Sequence, residues 1–281
     1  MMEIYDETNF ECSKIITKKY STSFSLGILA FSKEVRNPIY GIYAFVRFAD
    51  EIVDTFHNYK KEELLRKFEE ETYQSIKDGI SLNPVLHSFQ SVVNEYKIEH
   101  ELIDAFFKSM EMDLHNTKYN DQTYENYIYG SAQVVGLMCL RVFLKDQPEK
   151  YDLLKDSAKS LGSAFQKINF LRDIKDDFEE KGRTYFPEVN FDKNFNQNQK
   201  EIIEKDIKKD FDFAYQGIIK LPPSCRFGVL TAYIFYLSLF KKIKNTPANN
   251  IMTKRVRVSN SQKLLLCFYA FIKCKLIPQY T

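Results

Sequence analysis

Glycine and proline are scarce in this chain, 9 and 8 among 281 residues, and no Pro/Gly/Ser-rich stretch divides it. Without such a linker, residues 1–281 read as a single domain, near the upper size for one core. Strand-type alternation is also scarce, which leaves helical periodicity and an all-α reading. The clearest helical segments run from Lys60 to Asp78, Glu99 to Leu114, Tyr124 to Phe143 and Tyr151 to Glu179. Breaks fall at Asn83-Pro84, Gln147-Pro148, Pro187 and Leu221-Pro222-Pro223, and Asn190 to Gln199, rich in Asn and Gln, reads as an exposed loop. The five cysteines (Cys12, Cys139, Cys225, Cys267, Cys274) lack CxxC or metal spacing, and no signal-peptide pattern precedes them. Reduced thiols in the cytoplasm are therefore expected. His57, His87, His100 and His115 are scattered without the partners a nucleophilic triad needs. No uncharged run, Phe227 to Phe240 among them, reaches the roughly 20 residues that cross a bilayer, so a membrane-spanning protein is not expected.

Acidic residues are missing altogether beyond Asp212, although the formal net charge is only +2. The last quarter is purely basic, with Lys241-Lys242-Ile-Lys244, Lys254-Arg255-Val-Arg257 and Lys263 suited to phosphates, RNA or an anionic bilayer. Nucleic acid is not expected as a partner. The aromatics alternate with aliphatics as core residues do, and no nucleic-acid-binding motif accompanies them. Leu264 to Ile277, apolar with Lys273 and Lys275, suits either a membrane surface or packing against the core. The location expected is cytoplasmic, with a peripheral position at the inner face of the membrane as the variant.

What is present twice is a carboxylate pattern: Arg47-Phe-Ala-Asp50-Glu-Ile-Val-Asp54 and Gln166-Lys-Ile-Asn169-Phe-Leu-Arg172-Asp173-Ile-Lys-Asp-Asp177. At about 100° per residue, Asp50 and Asp54 lie about 40° apart, with Arg47 and Tyr43 on the same stripe. Gln166, Asn169, Asp173 and Asp177 fall within about 80°. A single such motif reads best as the solvated face of a helix. Two matched copies, on helices too apolar to lie on a surface, reverse that reading. Like charges at i,i+4 repel, and facing them inward adds the cost of burying unpaired carboxylates. Something cationic should sit between them. Hard oxygen donors without a His or Cys cluster point to Mg²⁺, shared between a few carboxylates and substrate phosphates, and so to diphosphate chemistry.

The chain resembles the trans-isoprenyl diphosphate synthases that join two prenyl diphosphates head to head: phytoene, dehydrosqualene and squalene synthases, the bacterial phytoene synthases above all. The resemblance begins at Tyr20-Ser21-Thr-Ser23-Phe24, runs through Tyr43 to Asp54, and includes Tyr127-Ile-Tyr-Gly-Ser-Ala132-Gln-Val-Val-Gly136. Its most specific part is Gln166 to Asp177 followed by Gly182-Arg183-Thr-Tyr185-Phe-Pro187. Tyr236 to Ile243 and the basic segment from Lys254 to Lys263 complete it, and Gln133 departs from it where a small residue is common. The resemblance implies an isoprenoid-synthase helical bundle with the two Asp helices facing each other across a central cavity. Asp50, Asp54, Asp173 and Asp177 would hold Mg²⁺, with Mn²⁺ as the alternative ion, and act with Arg47 and Tyr43 in catalysis. Ser21, Ser23, Gln166, Asn169, Arg172, Arg183, Tyr185, Tyr236, Arg255 and Lys263 would meet the substrate, and Phe24, Tyr43, Tyr127, Ala132 and Gly136 would wall the cavity.

The activity implied is condensation of two geranylgeranyl diphosphates to phytoene through a cyclopropylcarbinyl diphosphate, without NADPH. Farnesyl diphosphate going to dehydrosqualene, or to squalene with NADPH, is the alternative. A noncatalytic scaffold of the same fold would have eroded its metal ligands, whereas here all four Asp accompany Arg47, Gln166 and Asn169. A head-to-tail elongating synthase would show DDxxD. Asp176-Asp177-Phe-Glu-Glu approximates that string, but Asp176 lies about 100° from Asp177 around the helix, and the first motif has no such form.

Overall fold

The computed structural model describes residues 2–115, 118–179, 183–187, 195–253 and 255–277, with the side chains of 176–179 also left outside the description. The described chain is helical throughout, its one β feature an isolated bridge between Lys118 and Thr184. In order come α1 (Met2–Tyr20), α2 (Thr22–Leu29), α3 (Lys33–Asp54), α4 (Lys61–Asp78), α5 (Pro84–Tyr96) and α6 (His100–His115). After them come α7 (Asp121–Ile128), a π turn (Tyr129–Gln133), α8 (Val134–Phe143), α9 (Tyr151–Glu179), α10 (Gln197–Ile218), α11 (Pro223–Lys244), the short α12 (Ala248–Ile251) and α13 (Asn260–Leu276).

Helix starts follow the capping residues. Asn83 accepts from Val85 N at 3.0 Å with Pro84 in the first turn of α5. Asn196 and Gln199 close a capping box at α10. That box corrects the loop expected from Asn190 to Gln199. Residues 190–194 lie outside the description, Phe195 is buried, and Gln197 already belongs to the helix. Tyr124 to Phe143 is continuous as expected, except for the π turn, whose wider ring re-aims the residues around it and often marks a functional site.

Two helices present the motifs, and their back faces explain why. On α3, Phe45 is fully buried, stacked on Phe89 of α5 at 3.7 Å between ring centres and tilted against Phe106 of α6 at 5.3 Å. Ile42, Ala49, Ile52 and Val53 share that buried side. Seating it fixes the rotation of α3, and the stripe Tyr43, Arg47, Asp50, Asp54 faces the other way. Helix α9 is fixed likewise by fully buried Ala164, Ile168 and Leu171. Lys167 adds a polar clamp from α9 to α10, its ammonium 2.5 Å from Asp206 and 2.7 Å from Asp210. Burial works against that charge, but the two carboxylates hold the Lys167 pKa above its ordinary value. A close seam joins α9 to the π turn: a Cβ on Gly162 would stand 2.5 Å from the carbonyl oxygen of Ala132, so only glycine permits the approach.

Candidate active site

Between α2, α3, the π turn, α8, α9, α10 and α11 lies a cavity of about 490 Å³. Its polar end carries Arg47, Asp50, Gln166, Asn169, Arg172 and Arg255. Its deep end is apolar, lined by Phe31, Leu140, Phe143, Leu154, Ile218 and Leu221 among others. Between the two ends sits an aromatic group. Tyr236 stacks on Phe165 at 3.9 Å, and Phe24 lies 5.5 Å from Tyr43 and 6.0 Å from Tyr236. Burial pushes the Tyr43 hydroxyl up to about 12, with Arg47 opposing, and burial raises Tyr236 as well. Both therefore stay neutral at ordinary pH and present π faces and a dipole instead of a charge. Tyr236 also donates to Asn169 Oδ1 at 3.3 Å, linking α11 to the second motif.

Arginines stand beside the carboxylates. The Arg47 guanidinium lies 3.9 Å from Asp50, ion-pairs with Glu51 and stacks over Tyr20 at 4.4 Å. Its Nε–H is buried with no hydrogen-bond partner, a donor left over in the polar end of the cavity. Asp173 receives a two-pronged contact from Arg172 at 2.9 and 2.5 Å and a further contact from Arg255 Nε at 2.7 Å. Asp54 accepts from Arg183 at 2.8 Å. Arg183 is itself buried, donating to the Asp113 carbonyl at 2.7 Å and lying 3.5 Å from the Asp113 carboxylate. Three tyrosines also donate to that carboxylate: Tyr127 at 2.7 Å, and Tyr119 and Tyr185 at 3.3 Å each. Burial, followed by the Asp113 charge, raises the Tyr127 pKa well above normal.

The expected residues thus divide by place. Ser21, Phe24, Tyr43, Arg47, Asp50, Tyr127, Ala132, Gly136, Gln166, Asn169, Arg172, Tyr236 and Arg255 line the cavity. Asp54, Asp173, Arg183 and Tyr185 join it through the ion pairs and hydrogen bonds just described. Ser23 sits half-buried on α2, outside the lining. Lys263 reaches Thr22 Oγ1 at 2.6 Å, and burial, with Arg172 nearby, lowers its pKa. The Asp177 side chain, Gly182 and Lys254 lie outside the described residues. Gln133, singled out for local shape, donates to Ser163 across the α9 seam at 2.8 Å and does not line the cavity.

Asp113 and Tyr119 escaped the sequence reading, although Asp113 left a signal. It shares the stripe of α6 with the buried Phe106 and Met110, where an acid must have a partner.

The sequence profile of squalene/phytoene synthase matches residues 17–262, most of the chain. The chain belongs to the squalene/phytoene synthase family. It is accordingly a prenyltransferase. Similar proteins include phytoene synthase 1, chloroplastic, of Solanum lycopersicum, 26% identical over 300 aligned positions covering 100% of this chain and 71% of that one. Another is a phytoene synthase of Arthrospira platensis, 26% identical over 96% of this chain and 94% of the relative. Among solved structures, a dehydrosqualene synthase in complex with ligand superposes with a TM-score of 0.82 at 23% identity, covering 96% of this chain and 98% of that one. The fold of the family is therefore the fold seen here.

Proposed function

We propose that residues 1–281 act as one domain that condenses two geranylgeranyl diphosphates head to head into phytoene, in carotenoid biosynthesis. Head-to-head prenyl condensation is the chemistry the family membership supports, and phytoene is favoured by relatives of that name that match along nearly the whole chain. The observation that carries the reading is the cavity itself, with cations and carboxylates at one end, neutral aromatics behind them and an apolar depth beyond.

The donor set at the polar end fits a hard divalent cation bridged to a diphosphate. Carboxylates and amide oxygens gather there, and a buried Arg47 Nε–H awaits an anion oxygen. Among the described residues no three acidic, His or Cys groups form a closed metal cage. Mg²⁺ needs none, because it keeps waters and takes phosphate oxygens beside one or two carboxylates. Held by Asp50, Asp54, Asp173 and Asp177, Mg²⁺, or Mn²⁺ in its place, would supply the Lewis acidity that neutralises a leaving diphosphate.

In this reading Arg47, Arg172 and Arg255 bind the diphosphate oxygens, and Gln166 and Asn169 orient them. The C–O bond of the first substrate breaks and the diphosphate leaves with the electron pair. The allyl cation is then attacked by the double bond of the second substrate, and proton loss closes a cyclopropylcarbinyl diphosphate. A second ionisation, rearrangement and proton loss give phytoene. Phe24, Tyr43, Phe165 and Tyr236 face the cationic stages with ring π density and no competing nucleophile, and the apolar depth keeps water from quenching them. The protein is placed in the cytoplasm or peripherally at the inner face of a membrane, where an apolar product would dissolve.

The test is incubation of purified protein and Mg²⁺ with geranylgeranyl or farnesyl diphosphate, with and without NADPH, followed by identification of the hydrocarbon. Phytoene from the C20 substrate without NADPH is expected. Dehydrosqualene or squalene from the C15 substrate alone would overturn the assignment of substrate.

A further inference from the structure

Helix α13 has two faces that call for different partners. Ala270 is fully buried and Lys263 nearly so. Leu266, Cys274 and Ile277 pack on the core beside them. On a helical wheel these residues fill one side. The other side is an arc of about 140° containing Leu264, Leu265, Phe268, Tyr269, Ile272 and Leu276, with the exposed Lys275 inside it at the C-terminal end. All six are exposed, Leu265 at 71%, Phe268 at 66% and Leu276 at 76%. Scattered exposed apolar residues are ordinary, but six gathered on one helix face are not.

The helix is nevertheless held firmly by its other side. Lys263 reaches Thr22 at 2.6 Å, Phe271 meets Phe227 of α11 at 5.7 Å, and the Lys273 ammonium lies over the Tyr215 ring at 4.5 Å. Lys242 of α11 donates to Gln262 at 2.6 Å. The exposed face is thus part of a fixed surface.

Its surroundings carry charge of one sign. No acid occurs after Asp212, whereas Lys241, Lys244, Arg257 and Lys275 are all exposed. We infer that α13 is a docking helix that lies in the headgroup region of an anionic bilayer, its apolar arc among the acyl chains and its lysines at the phosphates. An aromatic and aliphatic face with lysines and arginines around it is the composition that such interfacial helices use. A second copy of this chain fits less well. In a two-fold pairing through this face the basic residues of one copy would be brought against those of the other, with no acid in the segment to offset them.

Helix α13 lies on α11, and Gly228, Val229, Ala232 and Tyr236 of α11 line the cavity. One helix therefore separates the docking face from the chamber. The purpose of the docking, delivery of an apolar hydrocarbon to lipid, rests on the proposed condensation to phytoene. The docking itself does not.

The experiment is flotation of the full chain, without substrate, with phosphatidylcholine vesicles and with vesicles that also contain phosphatidylglycerol. Binding is expected to the anionic vesicles and to weaken with salt. The triple variant Leu265→Ser, Phe268→Ser, Ile272→Ser should partition roughly tenfold less or worse. It should keep its helical circular dichroism and its turnover of detergent-dispersed substrate, since none of the three lines the cavity. Failure of the parent chain to float, or a variant that floats equally well, would overturn the proposal. So would light scattering that shows a dimer dispersed by the triple substitution, which would assign the face to a second copy. Because lipid binding is read without turnover, a wrong substrate assignment leaves its outcome unchanged.

Discussion

The two carboxylate motifs are matched in spacing but not in the cations that answer them. Asp54 of the first is met by Arg183, a buried side chain anchored on Asp113 within a ring of tyrosines. Asp173 of the second is met by Arg172 and Arg255, both of which line the cavity, Arg255 about 40% exposed. A buried, multiply bonded guanidinium is a fixed part of the scaffold. One at the cavity surface can turn from a carboxylate to an arriving anion at little cost. The difference suggests that α3 contributes rigid carboxylates, whereas α9 and the segment before α13 contribute charge that responds to substrate.

The largest effect should come from removing carboxylate charge without touching the scaffold. Asp50→Asn and Asp173→Asn should each reduce turnover by roughly 10³-fold, about 4 kcal/mol, with thermal unfolding unchanged. Near-normal turnover in either would remove that residue from the site.

A smaller effect should separate the arginines. Arg183→Met leaves the buried Asp113 carboxylate without its counter-ion, so denaturant unfolding should show a loss of about 3 kcal/mol. Arg255→Gln should leave stability within error and raise KM for the diphosphate substrate about tenfold, or about 1.4 kcal/mol. Equal stability losses in the two variants would erase the contrast between fixed and responsive cations. The smallest effect is expected for Tyr127→Phe, which keeps the ring in the cavity wall and removes one donor to Asp113. A loss of about 1 kcal/mol in urea melts is the expected reading, and no loss would show the hydrogen bond to be dispensable.

This contrast marks what the sequence can and cannot disclose. Periodicity places Tyr43, Arg47, Asp50 and Asp54 on one face, because polar residues on an otherwise apolar helix leave few ways to turn it. The same reasoning requires cations near the carboxylates. It does not say which ones, since helical spacing gives a face and never a partner 129 positions away, as Arg183 is from Asp54. Asp113 was missed for the same reason: a single acid on an apolar stripe asks for a partner, and only the fold brings Arg183, Tyr127 and Tyr185 to it. Only the end of the stretch from Asn190 to Gln199 departs from the loop reading, and it does so through composition, because Asn196 and Gln199 are the two halves of a helix cap. In α13 a single apolar run carries both a buried face at Ala270 and an exposed one at Phe268, which composition alone does not separate.

The measurement that bears most directly on the account is calorimetric titration of inorganic pyrophosphate into the protein with Mg²⁺ and with EDTA, repeated on Asp173→Asn and Arg255→Gln. Binding should be at least roughly tenfold tighter with Mg²⁺, should lose that gain in Asp173→Asn, and should weaken with or without metal in Arg255→Gln. Pyrophosphate that binds the parent chain equally well in EDTA, or with a metal gain that survives Asp173→Asn, would contradict a site in which carboxylates hold the cation and responsive arginines hold the anion.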